Sequence, residues 1–281
     1  MTGFHLVVQA PEVATGDLKA LARLCSGTGI GRIADGAFRI EGADPSSLEA
    51  VAAHCEAANL DWGFVPDGRR LADFGLLAVD MDSTVITIEC IDEIADFAGR
   101  KAEVAAVTRA AMLGEIDWAE SLRRRVAALA GLPESVLERV WRERLRLTPG
   151  AELLVAAARR SGLATLLVSG GFTYFTDRLR ERLGFDEAWS NELVIENGRL
   201  AGRVTGPLVD AAGKASHVAR MRRALAIGKD RVIAIGDGAN DLAMMAEAGT
   251  SIAFHAKPVV RREATHALSH TGLEGVLALF P

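Results

Sequence analysis

The sequence predicts an α/β protein in which a parallel-sheet domain carrying a helical insertion follows a small βαββαβ unit. Three observations carry that expectation. Short apolar runs at residues 76–79, 164–168, 231–235 and 251–254 are nearly continuous, as strands buried on both faces must be, and amphipathic stretches alternate with them. A span at about residues 88–147, rich in Ala, Leu, Arg and Glu, separates the first run from the second. It is too long for a simple crossover and reads as several helices capping the sheet. Residues 1–70 differ in texture, with short elements punctuated by turn signals.

Taken in order, Phe4-His5-Leu6-Val7-Val8-Gln9 predicts the first strand, and Leu18, Leu21, Ala22 and Cys25 then recur at helical spacing. Asp35-Gly36 is a two-residue hairpin turn between Gly31-Arg32-Ile33-Ala34 and Ala37-Phe38-Arg39-Ile40. Asp44-Pro45 has the residue types of an N-cap and a first helical position, and the helix it opens sets Leu48, Val51, Ala52 and Cys55 on one face. Asp61-Trp62-Gly63-Phe64-Val65 completes a ferredoxin-like βαββαβ order, after which residues 66–70 read as a linker. In the second domain, residues 71–281, the core comprises 71–88 and 148–281 and the helical cap about 89–147. Asn197-Gly198 marks a hairpin between Glu192-Leu193-Val194-Ile195-Glu196 and Arg199-Leu200-Ala201.

Composition narrows the partners. The chain has 281 residues, 49% of them hydrophobic, enough for two domains with real cores. A net charge of -5 gives no basic excess to attract nucleic acid or an anionic membrane, so a small molecule is the expected partner. Cys25, Cys55 and Cys90 form no CxxC pair and are expected as buried, reduced thiols. The opening residues lack a leader pattern and no apolar run approaches the ~18 residues of a membrane span, so a soluble cytoplasmic protein is expected. His5, His54, His217, His255, His266 and His270 have no ligand spacing and receive no chemical role.

Chemistry is expected where the parallel strands end, because ligands of such sheets bind beyond their carboxyl ends. Asp80-Met81-Asp82-Ser83-Thr84 follows the first core strand directly. Asp80 can attack a phosphate ester and carry the phosphoryl group, while Asp82 can protonate the leaving oxygen and later deprotonate water. Two carboxylates beside a phosphate demand a cation, and Mg²⁺ suits oxygen ligands. The third strand ends in Gly236-Asp237-Gly238-Ala239-Asn240-Asp241, which offers Asp237 as a metal ligand, Asp241 as a ligand or its support, and Asn240 as an orienting amide. The second ends in Val168-Ser169-Gly170-Gly171, where the Ser169 hydroxyl and the Gly170 N–H can hold phosphoryl oxygens at a helix start. Lys214, one of five lysines, can neutralise the same group. Any one of these motifs alone is a common turn; their order and placement together indicate phosphoryl transfer.

In that combination the motifs resemble those of the haloacid dehalogenase superfamily of phosphatases. Glu89-Cys90-Ile91-Asp92-Glu93-Ile94-Ala95, Ser121-Leu122-Arg123-Arg124-Arg125-Val126, Val168-Ser169-Gly170-Gly171-Phe172 and Ala253-Phe254-His255-Ala256-Lys257-Pro258 extend the resemblance to its phosphoserine-cleaving branch, over about residues 71–281. The resemblance implies a Rossmann-like core with a helical cap, Mg²⁺, and hydrolysis of O-phosphoserine to serine and phosphate in serine biosynthesis. It implies that Asp80, the Asp82 backbone carbonyl and Asp237 hold the metal, and that Ser169, Gly170 and Lys214 bind phosphate. Glu89 would accept the substrate ammonium and Arg125 its carboxylate, with Arg123 the alternative, and Met112 and Trp118 would close the pocket or pack in the core. The N-terminal unit resembles an ACT-type module by element order and length only, which leaves sensing of free serine level with homodimer formation or plain packing. Two other readings stand beside this one: a phosphatase or phosphotransferase for another small phosphomonoester, and a receiver-like domain whose phosphorylated aspartate is the output.

Overall fold

A computed structural model describes residues 3–112 and 115–281. In the first unit β1 (Phe4–Gln9), α1 (Thr15–Leu24), β2 (Gly29–Ala34), β3 (Ala37–Glu41), α2 (Leu48–Ala58) and β4 (Asp61–Pro66) follow the expected order, with the strands antiparallel as β2-β3-β1-β4. Alternate residues of β1 face opposite ways. Leu6 and Val8 pack with Leu18, Leu21, Val51 and Cys55 of the two helices, whereas Val7 and Val65 join the main core beside Leu279 and Phe280. The Asp44 carboxylate accepts from the Ser46 N–H at 2.9 Å and Pro45 opens the turn that leads into α2. Leu48 departs from the expected packed face: it begins α2 and is 50% exposed, while Val51 and Cys55, four apart, carry the burial. In the β2–β3 hairpin Gly36 takes a positive φ of 68° and lies against the Ala10 carbonyl, where a Cβ would come within 2.2 Å of the oxygen.

The second unit runs β5 (Leu76–Val79), α3 (Cys90–Phe97), α4 (Lys101–Met112), α5 (Trp118–Ala127), α6 (Ser135–Arg139), α7 (Ala151–Arg160), β6 (Ala164–Phe172), α8 (Thr173–Leu183), β7 (Glu187–Glu196), β8 (Arg199–Thr205), α9 (Ala211–Ala224), β9 (Val232–Gly236), α10 (Leu242–Met245), β10 (Thr250–Phe254), α11 (Pro258–Glu263), β11 (His266–Leu268) and α12 (Gly275–Leu279). Strands β11-β10-β9-β5-β6-β7 are parallel, with β5 flanked by β9 and β6. Leu76 and Ala78 of β5 face a layer containing Met221 and Val260, and Leu77 and Val79 face one containing Val155, Phe175 and Val276. Helices on both faces explain why these strands read as unbroken apolar runs. Helices α3 to α6 lie between β5 and β6 in the chain and form the cap. At the β7–β8 turn Asn197 and Gly198 both have positive φ, 50° and 70°, as a tight hairpin turn with a right-handed ribbon twist requires.

One feature lay outside the sequence reading. Trp62 of β4 pairs antiparallel with Ala267 of β11, so the two sheets join into one of eleven strands, β2-β3-β1-β4-β11-β10-β9-β5-β6-β7-β8. The buried Asp61 carboxylate secures the joint, accepting from the N–H groups of Ser269, His270 and Thr271 at 2.6, 2.9 and 2.9 Å and from the Thr271 hydroxyl at 2.9 Å. Among the described residues no helix is long and apolar enough to cross a membrane.

Candidate active site

Where β5 ends, the Asp80 N–H donates to the Ile235 carbonyl of β9 at 2.9 Å, and the chain then leaves the sheet in a sharp turn. Asp82 is extended (φ -65°, ψ 135°) and Ser83 left-handed (φ 55°), which turns both Asp80 and Asp82 into one cavity of about 600 Å³ between sheet and cap. Ser169, Gly170, Lys214, Asp237 and Asn240 line it from the core, and Glu89, Asp92, Thr108, Trp118 and Arg125 from the cap.

The floor is a buried charge network. Lys214 Nζ donates to Asp80 Oδ1 and to Asp241 Oδ1, both at 2.7 Å, with all three residues at most 3% exposed. Burial alone would lower the lysine's pKa, but Asp241 and Asp80 overcome that and hold the ammonium above its ordinary value. One cation does not balance the acids. Asp80 is raised well above the usual carboxylate range by burial and by Asp241 and Asp237. Asp237 is pushed up to about 7 by burial, Asp241 and Glu89. Asp80, Asp237 and Asp241 each bring a carboxylate oxygen into a group spanning no more than 4.8 Å, a donor set that fits a hard divalent cation. Asp241 has little capacity left, since Oδ1 is held by Lys214 and Oδ2 accepts from the Gly238 N–H at 3.1 Å. Its carboxylate also fills the space beside Gly236, where a Cβ would lie 2.4 Å from Oδ2.

Asp82 sits apart from that network. Oδ1 accepts from the Cys90 N–H at the start of α3 at 3.0 Å, while burial and the nearby Glu89 push its carboxyl up to about 7. Near neutrality it can both give and take a proton. Glu89 stands at the N-terminal boundary of the same helix without capping it and accepts from the Ser83 hydroxyl at 2.7 Å; it keeps some surface in water, yet burial still raises its pKa. On α5 the three arginines diverge. Arg123 and Arg124 are exposed and pair with Glu120, whereas Arg125 is half-buried, donates to the Ser121 carbonyl at 3.4 Å and lines the cavity.

Towards the end of β6 Ser169 Oγ accepts from the Gly171 N–H at 2.9 Å. A side chain here would crowd the cavity wall, because a Cβ on Gly170 would lie 3.0 Å from the Trp118 ring and one on Gly171 2.7 Å from Asp82 Oδ2. The side chain of Met112 lies outside the described residues. None of the histidines lines the cavity among the described residues. Asp92, Thr108 and Lys257 also line the cavity, a placement that no motif in the sequence assigns them. Lys257 follows β10 closely, so the strand-end rule offered a signal for it; Asp92 and Thr108 lie on cap helices, whose packing angle no local pattern reports.

A sheet that gathers a carboxylate pair, an acidic cation site and a lysine at its strand ends, under a helical cap, defines a hydrolase of the phosphoaspartate type. The chain belongs to the haloacid dehalogenase-like hydrolase family, whose profile matches residues 77–246. A second profile, a domain of unknown function (DUF4072), matches residues 6–51. A phosphoserine phosphatase of Albidiferax ferrireducens is 53% identical over 223 residues, covering 78% of this chain and 94% of that protein. Among solved structures, a probable phosphoserine phosphatase from Vibrio cholerae superposes with a TM-score of 0.84 at 38% identity, covering 98% of this chain and 85% of the other. A haloacid dehalogenase family hydrolase from Salmonella enterica serovar Typhi gives 0.90 at 31% identity, covering 100% and 99%.

Proposed function

We propose that this chain is a magnesium-dependent, cytoplasmic phosphatase that hydrolyses O-phospho-L-serine to L-serine and phosphate, the last step of serine biosynthesis. One observation carries the reading most of the way: Lys214 bridges Asp80 and Asp241 at the floor of a cavity that also presents an acid, Glu89, and a base, Arg125, from the cap. An amino acid phosphate has an anionic end, an ammonium and a carboxylate, and this cavity offers a counterpart for each.

In the first step Asp80 attacks phosphorus in line with the serine oxygen. The P–O bond to serine breaks as the Asp80 O–P bond forms, and Asp82 gives its proton to the leaving oxygen. In the second, Asp82 takes a proton from water as its oxygen attacks the aspartyl phosphate, which releases phosphate and restores Asp80. Ser169, Gly170 and Lys214 hold the phosphoryl oxygens, with Asn240 beside them. Glu89 accepts the substrate ammonium and Arg125 grips its carboxylate through two donors. Asp80, Asp237 and the Asp82 carbonyl, with Asp241 behind them, would hold magnesium, which would supply charge neutralisation for the phosphoryl group. The domain boundary belongs to the same proposal: an ACT-like unit to residue 70, and a catalytic unit from 71 with the cap at about 89–147, supported by the change from antiparallel to parallel pairing beyond β4.

Phosphate release from a panel of phosphomonoesters tests the reading, with magnesium or EDTA and with wild type or Arg125→Ala. Losing a charge-assisted pair worth about 1.5–3 kcal/mol should lower kcat/KM for phosphoserine by about 10- to 150-fold and leave a sugar phosphate unaffected. Wild-type turnover of the sugar phosphate equal to that of phosphoserine would sink the substrate assignment.

A further inference from the structure

Asn191 has no part in the scheme above, yet it is 1% exposed and sits where the β6–β7 pairing slips between Val168 and Phe172. Its amide makes two bonds. Nδ2 donates to the Gly170 carbonyl at 2.9 Å and Oδ1 accepts from the Val209 N–H at 2.9 Å. The partners fix the amide's orientation, because a carbonyl only accepts and an N–H only donates.

Both partners lie in segments that hold the phosphoryl group. The peptide joining Gly170 to Gly171 presents its carbonyl to Asn191 and its N–H to Ser169 Oγ. That unit is planar, so its two ends turn together. With a lone pair engaged by the Gly171 N–H, the Ser169 hydroxyl keeps its proton for a phosphoryl oxygen. Val209 precedes Asp210, which caps α9 by accepting from the Gly213 N–H at 2.8 Å, and Lys214 is the next residue. A single buried amide therefore ties the loop carrying Ser169 and Gly170 to the helix start carrying Lys214.

We propose that Asn191 is the positioning residue of the phosphoryl site, setting the spacing and orientation of Ser169 and Gly170 against Lys214. It touches neither substrate nor metal. The inference rests on the reading of those three residues as the phosphoryl cradle.

The test measures the affinity of the full, magnesium-loaded chain for inorganic phosphate by calorimetry, alongside the melting temperature and the kinetic constants for phosphoserine. Asn191→Ala removes both bonds. Asn191→Asp keeps the volume and the acceptor for Val209, but sets an oxygen against the Gly170 carbonyl. Thr176→Val is the control, because it removes an equally buried side-chain bond, Thr176 to Ser190 at 2.7 Å, that reaches neither phosphate-binding segment. Misplacing a group by about 1 Å can cost 10²-fold in rate, and an anion held by the same donors should feel part of that loss, so both Asn191 variants should bind phosphate at least ~10-fold more weakly, well below their melting temperatures. Thr176→Val should melt earlier with its phosphate affinity unchanged. Wild-type affinity in Asn191→Asp, or an equal loss in Thr176→Val, would overturn the proposal; so would failure of both Asn191 variants to fold while Thr176→Val folds, since the residue would then serve the fold alone. Wild type that binds phosphate without cleaving phosphoserine would instead fail the functional reading, with the affinities still scoring Asn191.

Discussion

Removing the divalent cation should make the stability of this protein depend on pH in a direction set by its excess carboxylates. Asp82 and Asp237 are pushed from 3.8 to about 7, chiefly by burial, then by Glu89 and Asp241 respectively. A folded pKa above the unfolded one means that the folded state holds extra protons between the two values. The stability from these groups is then greatest below about pH 4 and is lost as pH rises towards about 7. A shift of about 3 units at 1.36 kcal/mol each corresponds to about 4 kcal/mol per group, before their mutual coupling reduces the sum. The absolute curve also contains opposing contributions: burial lowers His266 to about 4 and lowers His5 and His217, so these gain stability as pH rises through the same window. They lie outside the cavity, so subtracting the curve in EDTA from the curve in saturating magnesium removes them. What remains is cation binding in competition with protons, worth about 1.4 kcal/mol per pH unit for each proton displaced and about 2.7 for two, one each from Asp80 and Asp237. Urea unfolding followed by tryptophan fluorescence, from about pH 5 to about pH 8, measures this gap. It should be small at the acid end, widen to several kcal/mol and lose slope above about 7, once Asp237 has released its proton, with a shallower slope in Asp237→Asn. A gap that does not change with pH would refute the reasoning, because the cation would then not be replacing protons.

Further perturbations separate the remaining roles. Asp80→Asn should abolish turnover, since enzymes of this class face an uncatalysed reaction slow enough for accelerations of up to ~10²¹. Asp82→Asn should cost about 10²–10⁴ on phosphoserine but far less in the first step on p-nitrophenyl phosphate, whose leaving group needs no acid, so that an aspartyl phosphate burst appears in rapid-quench experiments. Equal, mild losses in the two variants would contradict the division of labour. Asp61→Ala strips the acceptor from three backbone N–H groups at the β4–β11 joint and should lower stability by about 2–4 kcal/mol, read as a fall in the urea midpoint. An unchanged midpoint would show that water replaces the carboxylate there without cost.

Much of the fold was legible because its buried strands announce themselves. Residues 76–79 became β5 without adjustment, and the runs at 164–168, 231–235 and 251–254 became the bodies of β6, β9 and β10. What stayed hidden was polar or short. The first half of β7, Glu187-Ala188-Trp189-Ser190-Asn191, is half polar and looks like loop, and β11 is only three residues long. Neither carries a periodic signal, yet each does positional work at long range: β11 receives β4 and joins the two sheets, and β7 brings Asn191 to Gly170. The site divides in the same way. Asp80, Ser169 and Asp237 follow apolar strands and could be read from spacing, because the sheet itself delivers strand ends to one edge. That Arg125 faces the cavity while Arg123 and Arg124 face water follows from a helix rotation, which the run of three arginines leaves open. Lys214 was legible as a rare residue type in its place among the ordered motifs, not through its contacts; its bonds to Asp80 and Asp241 span 134 and 27 residues of sequence. Chemistry at strand ends is therefore local in sequence, while the groups that hold it in register are distant. A polar residue in the middle of a strand, such as Asn191, is most informative where its hydrogen bonds leave the strand's own ladder and end on the loops that carry the reaction.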